Sequence, residues 1–161
     1  MRQSGFTATE LLIGMAIVAI IATLAVPTLG NLIENSRLTT TTNMLVEALM
    51  TARSEAVKRG EPVRVIPGDG DVGVQVVVSA DNSLVRSFDN EITAADGADS
   101  PVFLEFSEDI EFVEYQANGI RTGGAAALQI YVCNRAGTKG RRIDLGVTGS
   151  TQVEQLEGAC P

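Results

Sequence analysis

The front of the chain carries a long apolar run. From Leu11 to Val26 the only polar side chain is Thr23, and the next charged residue is Glu34. A run of about 20 apolar residues is long enough to cross a bilayer as a helix. The pattern therefore predicts a membrane-spanning helix over residues 6–30.

A second helical pattern follows the apolar run. Small and apolar residues recur at spacings of three and four, which indicates one face of a continuing helix over residues 31–59. This face consists of Leu38, Thr42, Leu45, Leu49, Ala52 and Ala56. Lys58 and Arg59 suit the last turn of a helix, and Gly60 suits its C-terminal cap.

After Gly60 the pattern changes to short β-rich runs separated by turn residues. The predicted strands are 62–66, 73–79, 84–88, 102–106, 110–115, 126–132, 141–145 and 150–155. Residues 67–71 predict a hairpin turn. A helix followed by antiparallel strands indicates an α+β fold, in which the second half of the helix packs on the sheet formed by residues 60–161.

Charge divides the chain in the same way. Residues 1–60 carry five bases and four acids, whereas residues 61–161 carry seven bases and sixteen acids, within a total net charge of −8. An acidic domain argues against general binding to nucleic acid or to anionic membranes. The sequence therefore predicts a solvated acidic surface.

Two cysteines, Cys133 and Cys160, lie in the last thirty residues. If this part of the chain is exported, they would pair and fasten the C-terminal tail to a strand. The chain has no histidine and no further cysteine, so a zinc site is not expected.

Signals for catalysis are weak. Residues 68–73 match the pattern G-x-G-x-x-G, but they lie between predicted strands and contain two aspartates, so a turn is the better interpretation. The carboxylates within 105–114 are spread over two predicted strands and fit outward-facing charge better than an acid–base pair. We expect no enzymatic activity, no metal and no cofactor.

The N-terminal segment has two further interpretations. A secretory signal would explain Arg2 and the apolar run, but Thr23-Leu24-Ala25 is only a fair cleavage site. A signal also leaves Glu10 unexplained, because an unpaired carboxylate in a bilayer costs roughly 3 kcal/mol. The simplest interpretation of Glu10 itself is that its carboxylate lies at the headgroup boundary of the bilayer.

The segment Gly5-Phe6-Thr7-Ala8-Thr9-Glu10, followed by the apolar run, resembles the leader of type IV pilins and pseudopilins. The resemblance implies that residues 1–5 are a leader, that prepilin peptidase cleaves after Gly5, and that the new Phe6 amine is methylated. It also implies a helix kink at Pro27. In a filament, the Phe6 amine of a neighbouring subunit would pair with Glu10 and set the axial register.

Two further segments resemble the GspH/FimT branch of that superfamily, which includes FimU-type minor pilins. They are "ARSEAVKRGEPVRV", residues 52–65, and "YVCNRAGTKGRRIDLGVTGS", residues 131–150. The resemblance implies a minor pilin of the complex that initiates a type IV pilus, with other minor and major pilins as partners. It places the chain in the bacterial inner membrane, with residues 31–161 in the periplasm, and in the pilus. A GspH-type pseudopilin of type II secretion is an open alternative.

A basic cluster raises another hypothesis, which ranks second from the sequence: a DNA-binding minor pilin of the FimT type. It consists of Arg135, Lys139, Arg141 and Arg142. The Gly-Arg-x-Arg motif of FimT-like proteins corresponds here to residues 149–152, where both arginines are missing. No aromatic residue lies within the cluster to stack on bases, so nucleic acid is not an expected partner.

Overall fold

The computed structural model describes residues 7–67, 72–89, 92–94, 102–107, 110–123, 126–156 and 158–161, with the backbone alone for 24–28, 72, 89 and 92–94. One long helix, α1, spans Ala8–Arg59. The strands that follow it are β1 (Val63–Pro67), β2 (Val72–Val78), β3 (Leu84–Asp89), β4 (Ile92–Ala94), β5 (Val102–Phe106), β6 (Val113–Tyr115), β7 (Leu128–Asn134), β8 (Gly140–Leu145) and β9 (Thr151–Gln155). The chain divides into two compact units, Met1–Ser36 and Arg37–Pro161.

In the first unit, α1 continues through the position of Pro27, so the predicted kink there stays a prediction. Among the residues with described side chains, no helix combines the length and the apolar character needed to span a membrane. The predicted span over residues 6–30 is thus not confirmed; Phe6 and the side chains of 24–28 lie outside the described part of the chain.

The C-terminal half of α1 ends as its sequence predicts. Gly60 adopts a φ of +69°, a left-handed conformation that glycine reaches without strain, and its N–H donates to the carbonyl of Ala56 over 3.0 Å. Threonines weaken a helix because their β-branched side chains crowd the preceding turn. Thr42 is accommodated because its hydroxyl is buried and donates to the carbonyl of Leu38 over 2.6 Å.

The predicted helix face forms one side of the hydrophobic core. All six of its residues are at most 3% exposed, and the apolar ones pack against strand side chains in one cluster. The strand residues of that core include Val63, Val65, Val74, Val76, Leu128, Ile130, Val132, Ile143 and Leu145. The α+β fold, with a long helix packed on antiparallel strands, is confirmed. Because the described core lies between Leu38 and Leu145, we expect Arg37–Pro161 to fold without residues 1–36.

The strands form two sheets. Among the described residues the first has the order β3-β2-β1-β6 and the second the order β4-β5-β7-β8-β9. Neighbouring strands are antiparallel except β4 and β5, which are parallel. Strands β1 and β2 form the predicted hairpin, with Pro67 opposite Val74, while residues 68–71 lie outside the described part of the chain.

Three details of the β-region differ from the sequence prediction. The short strand β4 was not predicted, because its three residues precede a stretch rich in Ala, Asp and Gly that indicates a loop. The strand predicted at 110–115 begins only at Val113. The division into two sheets could not be read from the sequence, since alternation shows which faces are buried and not which strands pair.

Candidate functional site

The predicted processing site lies just outside the described residues, which start at Thr7. Cleavage after Gly5 and methylation of Phe6 therefore stay predictions. The structure does describe the first turn of α1. There the Glu10 carboxylate accepts hydrogen bonds from the Thr7 N–H over 3.0 Å and from the Thr7 hydroxyl over 2.8 Å.

Thr7 and Glu10 form a reciprocal cap at the start of α1. The Glu10 N–H lies 3.3 Å from the Thr7 hydroxyl oxygen, which completes the arrangement known as a capping box. This cap gives Glu10 a local structural role that the sequence analysis missed. The signal was present, because Thr7-x-x-Glu10 before an apolar run is the sequence pattern of that motif.

Directly after this cap, the first turns of α1 expose apolar side chains all round the helix. The large apolar residues between Leu11 and Ile21 are 52–66% exposed. They are Leu11, Leu12, Ile13, Met15, Ile17, Val18, Ile20 and Ile21. A contiguous apolar surface of this kind marks a site of interaction with other proteins or with lipid.

The two cysteines form the expected disulfide. Cys133 lies on β7 and Cys160 near the C terminus, with a Cα–Cα distance of 6.2 Å. Backbone hydrogen bonds hold the same tail in place, because the N–H of Cys160 donates to the carbonyl of Gly137 and the N–H of Leu156 to that of Gly140. The disulfide thus fastens the C-terminal tail to the β7–β8 hairpin.

The hairpin loop that carries the first half of the basic cluster is organised by Asn134. This side chain is 2% exposed, and its oxygen accepts the N–H groups of Thr138 and Lys139 over 2.9 and 3.0 Å. Arg135 is exposed and Lys139 is half-buried on this loop, and both make interactions within the domain. The loop is therefore shaped by its own hydrogen bonds.

The second half of the cluster is divided between two faces of β8. Arg141 donates to the hydroxyl of Thr39 on α1 over 2.8 Å. Arg142 lies within 3.1 Å of Asp144 and within 2.7 Å of Glu154 on β9. Adjacent residues of a strand face opposite ways, so the structure does not bring the two guanidinium groups together as one phosphate-binding surface.

A second polar group, which the sequence analysis missed, lies beneath the C-terminal half of α1. Tyr115 is fully buried and its hydroxyl has no hydrogen-bond partner among the described residues. Burial raises the pKa of this phenol to about 12, although the charges of Arg53 and Arg121 act in the opposite direction. Neither the tyrosine nor the arginines carry a sequence signal for this arrangement, because it depends on tertiary contacts.

Arg121 is the buried cation of that group. It is 5% exposed, and it donates from Nη2 to the carbonyl of Ala126 over 2.7 Å, while its Nε has no partner among the described residues. Arg53 is exposed and donates from Nε to the carbonyl of Gly119 over 3.1 Å. Within the described part of the chain, neither arginine forms a salt bridge with a carboxylate, in contrast to Arg142.

Comparison with known proteins identifies the family. Residues 41–149 match the family model described as "Type II transport protein GspH". The chain belongs to the GspH family. No curated protein sequence matches it significantly, and the remaining comparisons are with solved structures.

The structural comparisons agree with GspH membership at the level of the fold. The chain is similar to the type IV minor pilin FimU of Pseudomonas aeruginosa in two crystal forms, each with a TM-score of 0.59 and 20% identity. The first match covers 75% of this chain and 98% of FimU, and the second covers 78% and 96%. The minor pseudopilin EpsH of the Vibrio cholerae type 2 secretion system matches with a TM-score of 0.49 and 12% identity, over 74% of this chain and 97% of EpsH. The FimU matches confirm the type IV pilin-like fold of this GspH-family chain.

Proposed function

We propose that the chain is a minor pilin, a structural subunit of the complex that initiates type IV pilus assembly. The observation that carries this proposal is the first part of α1, which exposes large apolar side chains all round directly after a Thr7–Glu10 cap. An isolated helix of this kind needs other apolar surfaces around it. Similar helices of other minor and major pilins would supply those surfaces in a filament.

The proposal assigns a role to each N-terminal residue. Prepilin peptidase cleaves after Gly5, and methylation modifies the Phe6 amine. Glu10 of one subunit then pairs with the Phe6 amine of its neighbour, since two opposite charges that neutralise each other are tolerated in an apolar filament core. Before assembly, α1 anchors the chain in the inner membrane with residues 31–161 in the periplasm. The disulfide fits an exported domain.

A GspH-type pseudopilin of type II secretion is the second candidate, and the description of the matched family favours it. Both candidates use the same helix and the same disulfide. In either role the chain acts as a structural subunit, and we expect no catalytic activity. Among the described residues, no cluster of three or more His, Cys, Asp or Glu side chains could hold a metal.

The DNA-receptor hypothesis has less support. Arg141 contacts Thr39, and Arg142 contacts Asp144 and Glu154, all within the domain. A phosphate would have to displace these partners from a domain with a large excess of acids. A DNA receptor, the second choice from the sequence, therefore ranks third.

Deletion of the gene separates the two leading roles. We expect loss of surface pili, restored by the wild-type gene and not by a variant with Gly5 replaced by a residue that prevents cleavage. Secretion of type II substrates should stay normal. Normal pili together with a secretion defect would favour the pseudopilin of type II secretion over the minor pilin. N-terminal sequencing of the purified protein should begin at methylated Phe6.

A further inference from the structure

Three large apolar side chains are exposed around one arginine in the unit Arg37–Pro161. Met50 and Val57 of α1 are 56% and 54% exposed, and Ile120 is 42% exposed. Met50, Arg53 and Val57 are spaced by three and four residues, so they lie on one face of the helix. Ile120 directly follows Gly119, the residue whose carbonyl accepts from Arg53. We call Met50, Arg53, Val57 and Ile120 the Arg53 surface.

Two close backbone approaches fix the position of Arg53. A Cβ added to Gly149 would lie 2.8 Å from Cδ of Arg53, and one added to Gly119 would lie 3.4 Å from Nε and 3.7 Å from Cγ of the same side chain. Both glycines have positive φ, at +77° and +76°. The aliphatic part of Arg53 thus rests on backbone while Nε is held by a carbonyl. A side chain fixed in this way loses little entropy when it binds.

Among the described residues, no carboxylate pairs with Arg53. Lys58 and Arg59, on the last turn of the same helix, both pair with Glu55, and Arg86 pairs with Glu47. Among the described residues, the hydrogen bond from Nε to Gly119 is the one polar contact of Arg53. The outer nitrogens of its guanidinium therefore retain the fork of donors that suits a carboxylate.

We propose that the Arg53 surface binds another pilin subunit, through an Asp or Glu of that subunit that lies next to an apolar residue. A central arginine within an apolar rim is the typical composition of a binding hot spot. Charge complementarity selects an acidic group as the occupant. A second copy of this chain is disfavoured, because two molecules with a net charge of −8 repel each other. This inference rests on the proposed assembly into a pilus or pseudopilus.

Photo-crosslinking of the full chain in its host bacterium tests this interface. A photoreactive benzoylphenylalanine replaces Val57 in the deletion strain, and mass spectrometry identifies the adduct and the crosslinked peptide. We expect an adduct with a different pilin, at a peptide that contains an acidic residue. The variant Arg53→Glu should lower its yield at least about tenfold, because a like charge then faces the carboxylate. In the Arg53→Glu background, replacing that acidic residue of the partner by arginine should restore the yield of the adduct.

Two further variants guard against loss of folding. Met50→Glu disturbs the surface without touching the bond to Gly119, and it should lower the adduct as well. Arg37→Glu is the matched control, because it reverses an exposed charge roughly 160° around α1 from Arg53; its adduct yield should stay at the wild-type level. Immunoblots confirm equal amounts of each variant.

A second photoprobe at Ile17 separates failure of this inference from failure of the proposed function. Adducts with pilins at Ile17 but none at Val57 would overturn the Arg53 surface and leave assembly through the first helix intact. An adduct at Val57 with a second copy of this chain alone would also overturn it. Absence of pilin adducts at both positions would overturn the proposed function and the inference together.

Discussion

The Glu10 carboxylate accepts two hydrogen bonds from Thr7, one from its N–H and one from its hydroxyl. Glu10 is thus the second half of a helix cap as well as the residue predicted to pair with the amine of a neighbouring subunit. The two roles need different chemistry. A cap needs only an oxygen acceptor at this position, whereas pairing with an amine needs a negative charge.

Replacement of Glu10 by glutamine or alanine separates these roles. Glu10→Gln keeps an acceptor for Thr7, and Glu10→Ala removes both the acceptor and the charge. We expect both variants to be cleaved but to enter filaments at least about tenfold less than wild type, because an unpaired buried amine is costly. Immunoblots of sheared filaments against whole cells measure this. Normal entry of Glu10→Gln and poor entry of Glu10→Ala would assign the residue to the cap alone.

The disulfide should be the largest single contribution to the stability of the C-terminal tail. Cys133 and Cys160 are 27 residues apart, for which loop closure in the unfolded state predicts about 3–4 kcal/mol. Cys160→Ser should therefore lower the free energy of unfolding of the fragment Arg37–Pro161 by about that amount in urea titrations. Adding reductant to the wild-type fragment should have the same effect, and reductant should leave Cys160→Ser unchanged. Alkylation of both cysteines in the native exported protein would contradict the pairing.

Gly140 is a position where the tail permits no side chain. A Cβ there would lie 2.5 Å from Sγ of Cys160 and 2.9 Å from the carbonyl oxygen of Val132. Gly140→Ala should destabilise the domain by about 1–3 kcal/mol, as overpacking does elsewhere. Gly158→Ala is the matched control, because no atom of the described residues lies within 4 Å of a Cβ added there, and it should change stability by less than about 0.5 kcal/mol. Equal effects in urea titrations would show that the tail is not packed there.

Duplex DNA provides a test of the basic cluster. Because Arg142 is paired with Asp144 and Glu154, we expect no binding by the fragment Arg37–Pro161 at low salt up to about 100 μM protein, the weak end of non-specific binding. Fluorescence anisotropy of labelled duplex measures this. Micromolar binding that is lost in Arg141→Ala and in Arg142→Ala would favour a DNA receptor instead.

The sequence predicted the parts of this fold that depend on local pattern. The buried face from Leu38 to Ala56 follows from helical spacing. The cap at Gly60 follows because the end of a helix often requires a residue with positive φ, which glycine adopts without strain. The Thr7–Glu10 cap is equally local, because Thr7-x-x-Glu10 before an apolar run is the sequence pattern of a capping box.

The remaining features depend on contacts between distant segments. Arg121 lies in a stretch rich in turn residues, where an arginine is expected to be exposed, yet it is buried against the carbonyl of Ala126. Arg53 and Tyr115 are far apart in the chain, yet both lie within 3.2 Å of a Cβ added to Gly149, because Tyr115 shares a core with the C-terminal half of α1. No periodicity records such a meeting.

Tyr115 should make the domain sensitive to alkaline pH. A phenol with a pKa near 10 when unfolded and about 12 when folded holds its proton more tightly in the native state. Its contribution to stability is complete below pH 10 and is lost as the pH rises towards 12, by about 2–3 kcal/mol in all. Urea titrations of the fragment Arg37–Pro161 between pH 9 and 12 measure this loss, and tyrosinate absorbance follows the ionisation itself.

Tyr115→Phe is the matched control for that titration. It removes a buried hydroxyl that has no hydrogen-bond partner among the described residues, so stability at neutral pH should stay the same or rise by up to about 3 kcal/mol. Every other titratable residue is the same in both proteins, including Tyr131, the other phenol. The difference in alkaline slope between the two proteins therefore isolates Tyr115. Equal slopes would mean that the phenol ionises as readily in the native domain as in the unfolded chain, and that solvent reaches its hydroxyl.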